Sequence, residues 1–100
     1  MSAAAQFQLD TSTTGVLAVS GVLSFETAGS ALVDIQAALS SGKISKLDLA
    51  GVSRTDSAGL ACIVAVVAEA DRSGNALRVT QMPVGMQALA QVCEVDQLIE

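Results

Sequence analysis

The chain opens with short stretches in which apolar and polar residues alternate. Phe7 and Leu9 have polar neighbours, and a second apolar stretch, Val16–Val19, follows the turn-forming segment Thr11–Gly15. Alternation on both sides of a turn that contains glycine predicts a β-hairpin. Apolar residues then recur every three or four positions, which predicts an amphipathic helix that ends near residues 40–42. These positions are Ala28, Leu32, Ile35 and Leu39.

The second half of the chain predicts strands that alternate with helices. A buried strand is expected around Leu47, Gly51 is expected to turn the chain, and a helix is predicted over Ser57–Ser73. A strand through Leu77–Val79 and a last helix over Pro83–Cys93 complete the pattern. We therefore expect an α/β fold with a mixed β-sheet and helices packed largely on one side.

The composition is that of a small domain with a well-developed core. Hydrophobic residues make up 51% of the 100 residues and charged residues 15%, against about 25% charged residues in typical soluble proteins. This length suits one core, so we expect a single domain over residues 1–100.

The longest run without a polar side chain, Leu60–Ala68, is far shorter than the roughly 20 residues that span a bilayer. The N-terminus lacks the features of a secretory signal, so a cytoplasmic location is expected.

The residues that the chain lacks argue against several classes of function. It has no His, Trp or Tyr, which excludes His-based catalytic triads and disfavours imidazole zinc sites and aromatic platforms for bases. A net charge of −5 with five basic residues gives no electrostatic footprint for nucleic acid. Cys62 and Cys93 are interpreted as small buried hydrophobic residues rather than a disulfide or a metal site. No cofactor or metal is predicted.

Enzymatic activity and ligand binding are the weaker hypotheses. Carboxylates two residues apart, such as Glu69 and Asp71, point to different sides of a helix. An acid–base catalyst that used Asp48 and Asp56 would have only those two carboxylates in its favour, so we expect the chain not to be an enzyme. Phosphate at the start of the central helix is disfavoured, because Asp56 already lies at its positive end and Arg54 is the only cation nearby.

The segment Lys46–Leu60 carries most of the functional information. It is interpreted as a strand, a tight loop and a helix start, with Asp56 as the N-cap that accepts backbone hydrogen bonds. Ser57 is expected at the exposed apex, and Gly59 is expected to permit close backbone approach, either to the adjoining strand or to a partner. The first two turns of the helix have no polar side. They are therefore either covered within the domain or form a smooth docking surface.

The order of the elements and two segments of the sequence resemble a STAS domain. The segments are Gly21–Ala28, after the second strand, and Leu47–Leu60, before the central helix. The run Val52–Leu60 is most similar to MlaB-type proteins, the cytoplasmic STAS subunits of bacterial ABC systems that move phospholipids between the inner and outer membranes. The resemblance implies a STAS fold and a subunit that binds and stabilises or regulates the transporter ATPase. Such a subunit is peripheral to the inner membrane when in the complex, and the system maintains outer-membrane lipid asymmetry.

STAS domains also include anti-sigma-factor antagonists, which are the alternative. In antagonists a partner kinase phosphorylates the serine directly before the glycine of an Asp-Ser-Ser-Gly motif, and the matching residue here is Ala58. Ser57, one position earlier, is the remaining candidate for phosphorylation. In MlaB-type proteins the hydroxyl-bearing residue after the aspartate is implicated in working with the ATPase, and that residue is Ser57. The resemblance therefore favours the transporter subunit over a partner-switching antagonist that binds an anti-sigma factor kinase.

The partner-binding surface expected from the sequence joins the loop before the central helix to an outward stripe on that helix. Its residues are Ser53, Arg54, Thr55, Asp56, Ser57, Ala58, Gly59, Ala61, Cys62 and Ala65. The small side chains of the stripe would let a partner helix approach closely, which suits a stable subunit interface.

Overall fold

The computed structural model describes residues 6–41 and 43–99. In chain order the elements are β1 (Phe7–Asp10), β2 (Val16–Leu23), α1 (Ala28–Leu39), β3 (Lys46–Thr55), α2 (Ser57–Arg72), β4 (Arg78–Thr80), α3 (Val84–Val92) and a 3₁₀ turn (Asp96–Leu98). The predicted hairpin and the alternation of helices and strands are confirmed. The 3₁₀ turn has no counterpart in the sequence pattern, and Pro83 directly precedes α3 instead of lying in its first turn.

The four strands form one mixed sheet in the order β1-β2-β3-β4. β1 pairs antiparallel with β2, whereas β2, β3 and β4 run parallel to one another. Alternate residues of β2 and β3 are fully buried against the helices. The main side chains of this core are Leu17, Val19, Leu47 and Leu49 from the sheet and Ile35, Ile63, Val66 and Met86 from the helices. The predicted fold class is therefore confirmed.

β3 is longer than the sequence predicts, because Gly51 does not turn the chain. The strand continues through Gly51 to Thr55, with two shifts in its register against β2. At the first shift, β3 contains an extra residue, so its buried positions Leu49 and Val52 are three residues apart instead of two. A Cβ on Gly51 would lie 2.7 Å from that of Ser20. Glycine here permits a bulged strand to stay paired, and the expected loop is absent.

The two cysteines have different environments. Cys62 lies in the core with 5% exposure, as expected, and burial raises the pKa of its thiol to about 11. Cys93 is exposed, so the expectation that it is a buried hydrophobic residue is wrong. The reason is that α3 ends at Val92, and Cys93 caps the helix outside its packed face.

Parallel pairing of β2, β3 and β4 places their carboxyl ends at one edge of the sheet. At this edge β2 leads into α1, β3 into α2 and β4 into α3. The start of α2 therefore has the loop after β2 beside it, although these segments are distant in sequence. None of the helices in residues 6–41 and 43–99 combines the length and the hydropathy that a transmembrane span requires.

Candidate functional site

Asp56 forms the corner between β3 and α2. Its backbone is extended, and its Oδ1 accepts hydrogen bonds from the N–H groups of Ala58 at 2.9 Å and Gly59 at 3.1 Å. These two N–H groups would otherwise be unpaired at the helix start. The N-cap interaction predicted from the sequence is therefore present, and it fixes the direction in which α2 leaves the sheet.

The second carboxylate oxygen of Asp56 connects the helix start to the loop after β2. Asp56 Oδ2 accepts a hydrogen bond from the backbone N–H of Phe25 at 3.0 Å. This bond is the largest cause that holds the pKa of Asp56 below its ordinary value, followed by the bond from Gly59. The N–H of Ala58 and the charge of Arg54 lower this pKa further. One carboxylate thus joins two segments of the edge.

The loop after β2 is ordered by its own hydrogen bonds. Thr27 is buried, and its Oγ1 accepts from the N–H of Ser24 at 2.9 Å and donates to the carbonyl of Val22 at 2.9 Å. The backbone N–H of Ala28 donates to the Ser24 carbonyl at 2.7 Å. Phe25 lies within this turn and is 83% exposed. Sequence reasoning missed Phe25, because its link to Asp56 uses a backbone N–H that no side-chain pattern reveals.

Gly59 brings α2 against the end of β2. A Cβ at this position would lie 2.9 Å from the carbonyl carbon of Leu23 and closer still to its oxygen and to Thr55 Oγ1. Gly59 is buried. Of the two roles that the sequence left open, the structure therefore supports close approach to the adjoining strand.

The Ser24 hydroxyl has an unusual environment in this loop. Ser24 is 8% exposed, and its Oγ is a buried side-chain atom without a hydrogen-bond partner among the described residues. Because an unpaired buried hydroxyl is costly, we expect Ser24→Ala to raise the free energy of unfolding by about 1 kcal/mol. Urea unfolding monitored by circular dichroism measures this change.

Thr27→Val is the matched control for Ser24→Ala, since it also replaces a buried hydroxyl in the same turn. Thr27 Oγ1 is hydrogen-bonded, so Thr27→Val is expected to lower the free energy of unfolding by about 1–3 kcal/mol. A loss of stability in Ser24→Ala would contradict the prediction.

The ten residues expected at the partner surface have different positions in the structure. Exposed are Ser53, Arg54, Asp56, Ser57 and Ala61; partly buried are Thr55, Ala58 and Ala65; buried are Gly59 and Cys62. Cys62 therefore does not belong to an outward stripe, because it faces the core. Residues 53–55 lie in β3 instead of a loop, and Ser53 Oγ donates to the Gly21 carbonyl at 3.1 Å. The surface that is available combines the end of β3, Ser57 and Ala61.

Ser57 is the first residue of α2 and is exposed. The side-chain hydrogen bonds within the described residues do not include its hydroxyl, whereas both neighbouring polar groups, Thr55 Oγ1 and the Asp56 carboxylate, have partners. Asp48, the other carboxylate considered for catalysis, accepts from the N–H of Ala50 at 3.0 Å. The described residues contain no cluster of three or more His, Cys, Asp or Glu arranged to hold a metal. The corner at the start of α2 can thus offer the Ser57 hydroxyl and the Phe25 ring to a partner protein.

Comparison with known proteins identifies the family. The family described as "Mlab, STAS domain" matches residues 7–100. No curated protein sequence matches the chain. Among the solved structures that share its fold are two of SpoIIAA. "Structure of the Bacillus Cell Fate Determinant SpoIIAA in the Phosphorylated Form" has a TM-score of 0.68 at 16% identity and covers 95% of this chain and 89% of that chain.

The second is "Structure of the Anti-Sigma Factor Antagonist SpoIIAA in its Unphosphorylated Form", with a TM-score of 0.70 at 15% identity, which covers 95% of this chain and 86% of that chain. At these identities the likeness is one of fold. The family match spans residues 7–100. The structure also has the expected order of elements and an α2 helix that is capped by Asp56. The chain therefore belongs to the STAS domain family, in its Mlab group.

Proposed function

We propose that this chain is a non-enzymatic STAS subunit that binds and stabilises or regulates the ATPase of a bacterial ABC system for phospholipid transport. In this role it works in the cytoplasm, peripheral to the inner membrane within the complex, and helps to maintain outer-membrane lipid asymmetry. The observation that carries the proposal is the exposed Ser57 hydroxyl at the start of α2. Membership of the Mlab group supports the identity of the partner.

The surroundings of Ser57 support a docking role. Its backbone is fixed by the Asp56 cap on one side and by the close contact of Gly59 with β2 on the other. A partner would therefore meet a preorganised hydroxyl, which reduces the entropy lost on binding. Ala61, exposed one turn further along α2, leaves space for a partner segment to approach the helix. These features suit a stable protein interface better than a catalytic centre.

A partner-switching antagonist of an anti-sigma factor is the second candidate. The fold likeness to SpoIIAA, an anti-sigma factor antagonist with a phosphorylated form, favours it. Against it, Ala58 occupies the place of the phosphorylated serine, which leaves Ser57 as the acceptor. Incubation with ATP and the cognate kinase distinguishes the two functions. Stoichiometric phosphorylation of Ser57 that abolishes binding to the kinase would favour the antagonist.

Ser57→Arg is expected to weaken association with the ATPase subunit by at least tenfold. We call the surface formed by the end of β3, Ser57 and Ala61 the docking corner. The long cationic side chain would replace a small hydroxyl at its centre and hold the partner away. The folded state should be unaffected, because the Ser57 side chain is exposed. Co-purification of the two subunits and the ATPase rate of the complex measure the effect.

Ser73→Arg is the control for this experiment. Ser73 caps the opposite end of α2, about 24 Å from Ser57 along the helix axis. The Ser73→Arg protein should therefore bind the ATPase like the wild type. Undiminished association and ATPase activity in Ser57→Arg would count against the proposed site. If the wild-type chain itself does not bind the ATPase, the proposed function is wrong.

A further inference from the structure

Phe25 has the features of an interface anchor rather than of a core residue. The residue is 83% exposed, and it is one of only two aromatic residues in the chain. The other, Phe7, packs against the hydrophobic core. An aromatic ring on the surface gains much free energy when a partner removes it from water. Nothing in the packing of the described residues requires an aromatic side chain at position 25.

The backbone that carries Phe25 is held in place by hydrogen bonds. Its N–H donates to Asp56 Oδ2 at 3.0 Å, and the turn around it is closed by the buried Thr27 hydroxyl. Exposed loop residues usually lack such hydrogen bonds, so fixing their backbone on binding costs conformational entropy. In this loop folding has already fixed most of the backbone, so less entropy is lost when a partner binds. An exposed aromatic ring on a preorganised backbone is typical of residues that dominate the free energy of an interface.

The position of Phe25 connects it to the docking corner around Ser57. The carboxylate that binds the Phe25 N–H belongs to the residue directly before Ser57. Val84, which is 82% exposed, follows β4 at the same edge of the sheet. The edge thus has two large exposed apolar residues, Phe25 in the loop after β2 and Val84 at the first position of α3. An apolar partner surface with one polar group for Ser57 would be complementary to it.

We propose that Phe25 is the anchor of the docking surface, and that it fills an apolar pocket on the ATPase subunit beside the contact made by Ser57. Asp56 is the positioning residue, because its carboxylate holds the backbone of Phe25 next to α2. This inference rests on the proposed function, which supplies the partner. It adds the residue that contributes most to affinity and the chemistry of the partner surface that receives it.

The dissociation constant for the purified ATPase subunit tests this proposal, measured by isothermal titration calorimetry. Phe25→Ser is expected to weaken binding by about 30-fold or more, whereas Phe25→Leu, which keeps apolar volume, should retain most of the affinity. Val92→Ser is the matched control, since Val92 is 80% exposed and lies at the other end of α3, away from this edge. Melting temperatures of the three variants should equal that of the wild type, because Phe25 and Val92 are both exposed.

The outcomes separate this inference from the proposed function. If Ser57→Arg weakens binding and Phe25→Ser binds like the wild type, the anchor is overturned and the ATPase remains the partner. If Val92→Ser weakens binding as much as Phe25→Ser, the effect is not specific to the corner and the anchor is also overturned. If the wild type does not bind the ATPase subunit, both the proposed function and the anchor, as stated, are wrong.

Discussion

Gly59→Ala is expected to destabilise the folded protein by about 3 kcal/mol or more. The added Cβ would overlap the carbonyl group of Leu23, which is backbone of the central strand β2 and cannot rotate away. Relief requires α2 to move off the sheet, and α2 carries the core residues Ile63 and Val66. Against a typical stability of about 5–15 kcal/mol, such a loss removes a large share of the free energy that holds the fold together. Chemical denaturation followed by circular dichroism measures it.

Gly29→Ala is the control for this substitution. Gly29 is an exposed residue of α1, and a Cβ there would have no neighbour within 4 Å. Because alanine favours helix over glycine, this variant is expected to be more stable by about 0.5–1 kcal/mol. Opposite signs for the same substitution would attribute the effect of Gly59 to its contact with β2. A Gly59→Ala protein as stable as the wild type would refute that contact.

Asp56→Ala is expected to lower the melting temperature by several degrees and to weaken binding of the ATPase subunit as well. One carboxylate accepts hydrogen bonds from Phe25, Ala58 and Gly59, so its removal leaves three N–H groups without this partner. The helix cap and the tie between the two loops are lost together. Thermal unfolding gives the first effect, and titration with the ATPase gives the second. Normal affinity in Asp56→Ala would show that Asp56 does not position Phe25.

The pH dependence of stability gives a separate measure of the role of Asp56. Its pKa is lowered in the folded protein, so the unfolded chain binds a proton more readily than the folded one. The contribution of Asp56 is therefore fully present above about pH 4, the pKa range of an unfolded aspartate, and is lost as pH falls through the lower folded-state value. The difference in melting temperature between wild type and Asp56→Ala should shrink on acidification. A constant difference would contradict this assignment.

The sequence predicts the elements of this fold well and its fine geometry less well. The strand around Phe7 was predicted from residues that alternate, and α1 was predicted from apolar residues three or four positions apart. Both patterns reflect the side-chain period of the element, which is a local property of the chain. The longer course of β3 was missed because the turn at Gly51 was inferred from the conformational freedom of glycine alone. Pairing with β2 provides backbone hydrogen bonds on both sides of Gly51, and it outweighs that preference.

Some residues of the candidate site could be chosen from the sequence and others could not. Asp56 was identifiable as a cap because a cap is defined by the few residues around it. Cys62 was assigned to the outward side of α2, although it faces the core. A helix that is apolar all round carries little information on which side is buried. The packing of α1 and the sheet against α2 decides it.

The sequence by itself determined the α/β class, the order of the elements, the capped start of α2 and the resemblance to STAS domains. These features depend on residues near one another in the chain, so hydrophobic period and motif suffice. Only the tertiary structure decided that Gly59 approaches β2 and that Phe25 is fixed beside Ser57. Phe25 and Asp56 are 31 residues apart, and they meet because parallel strands end at one edge of the sheet.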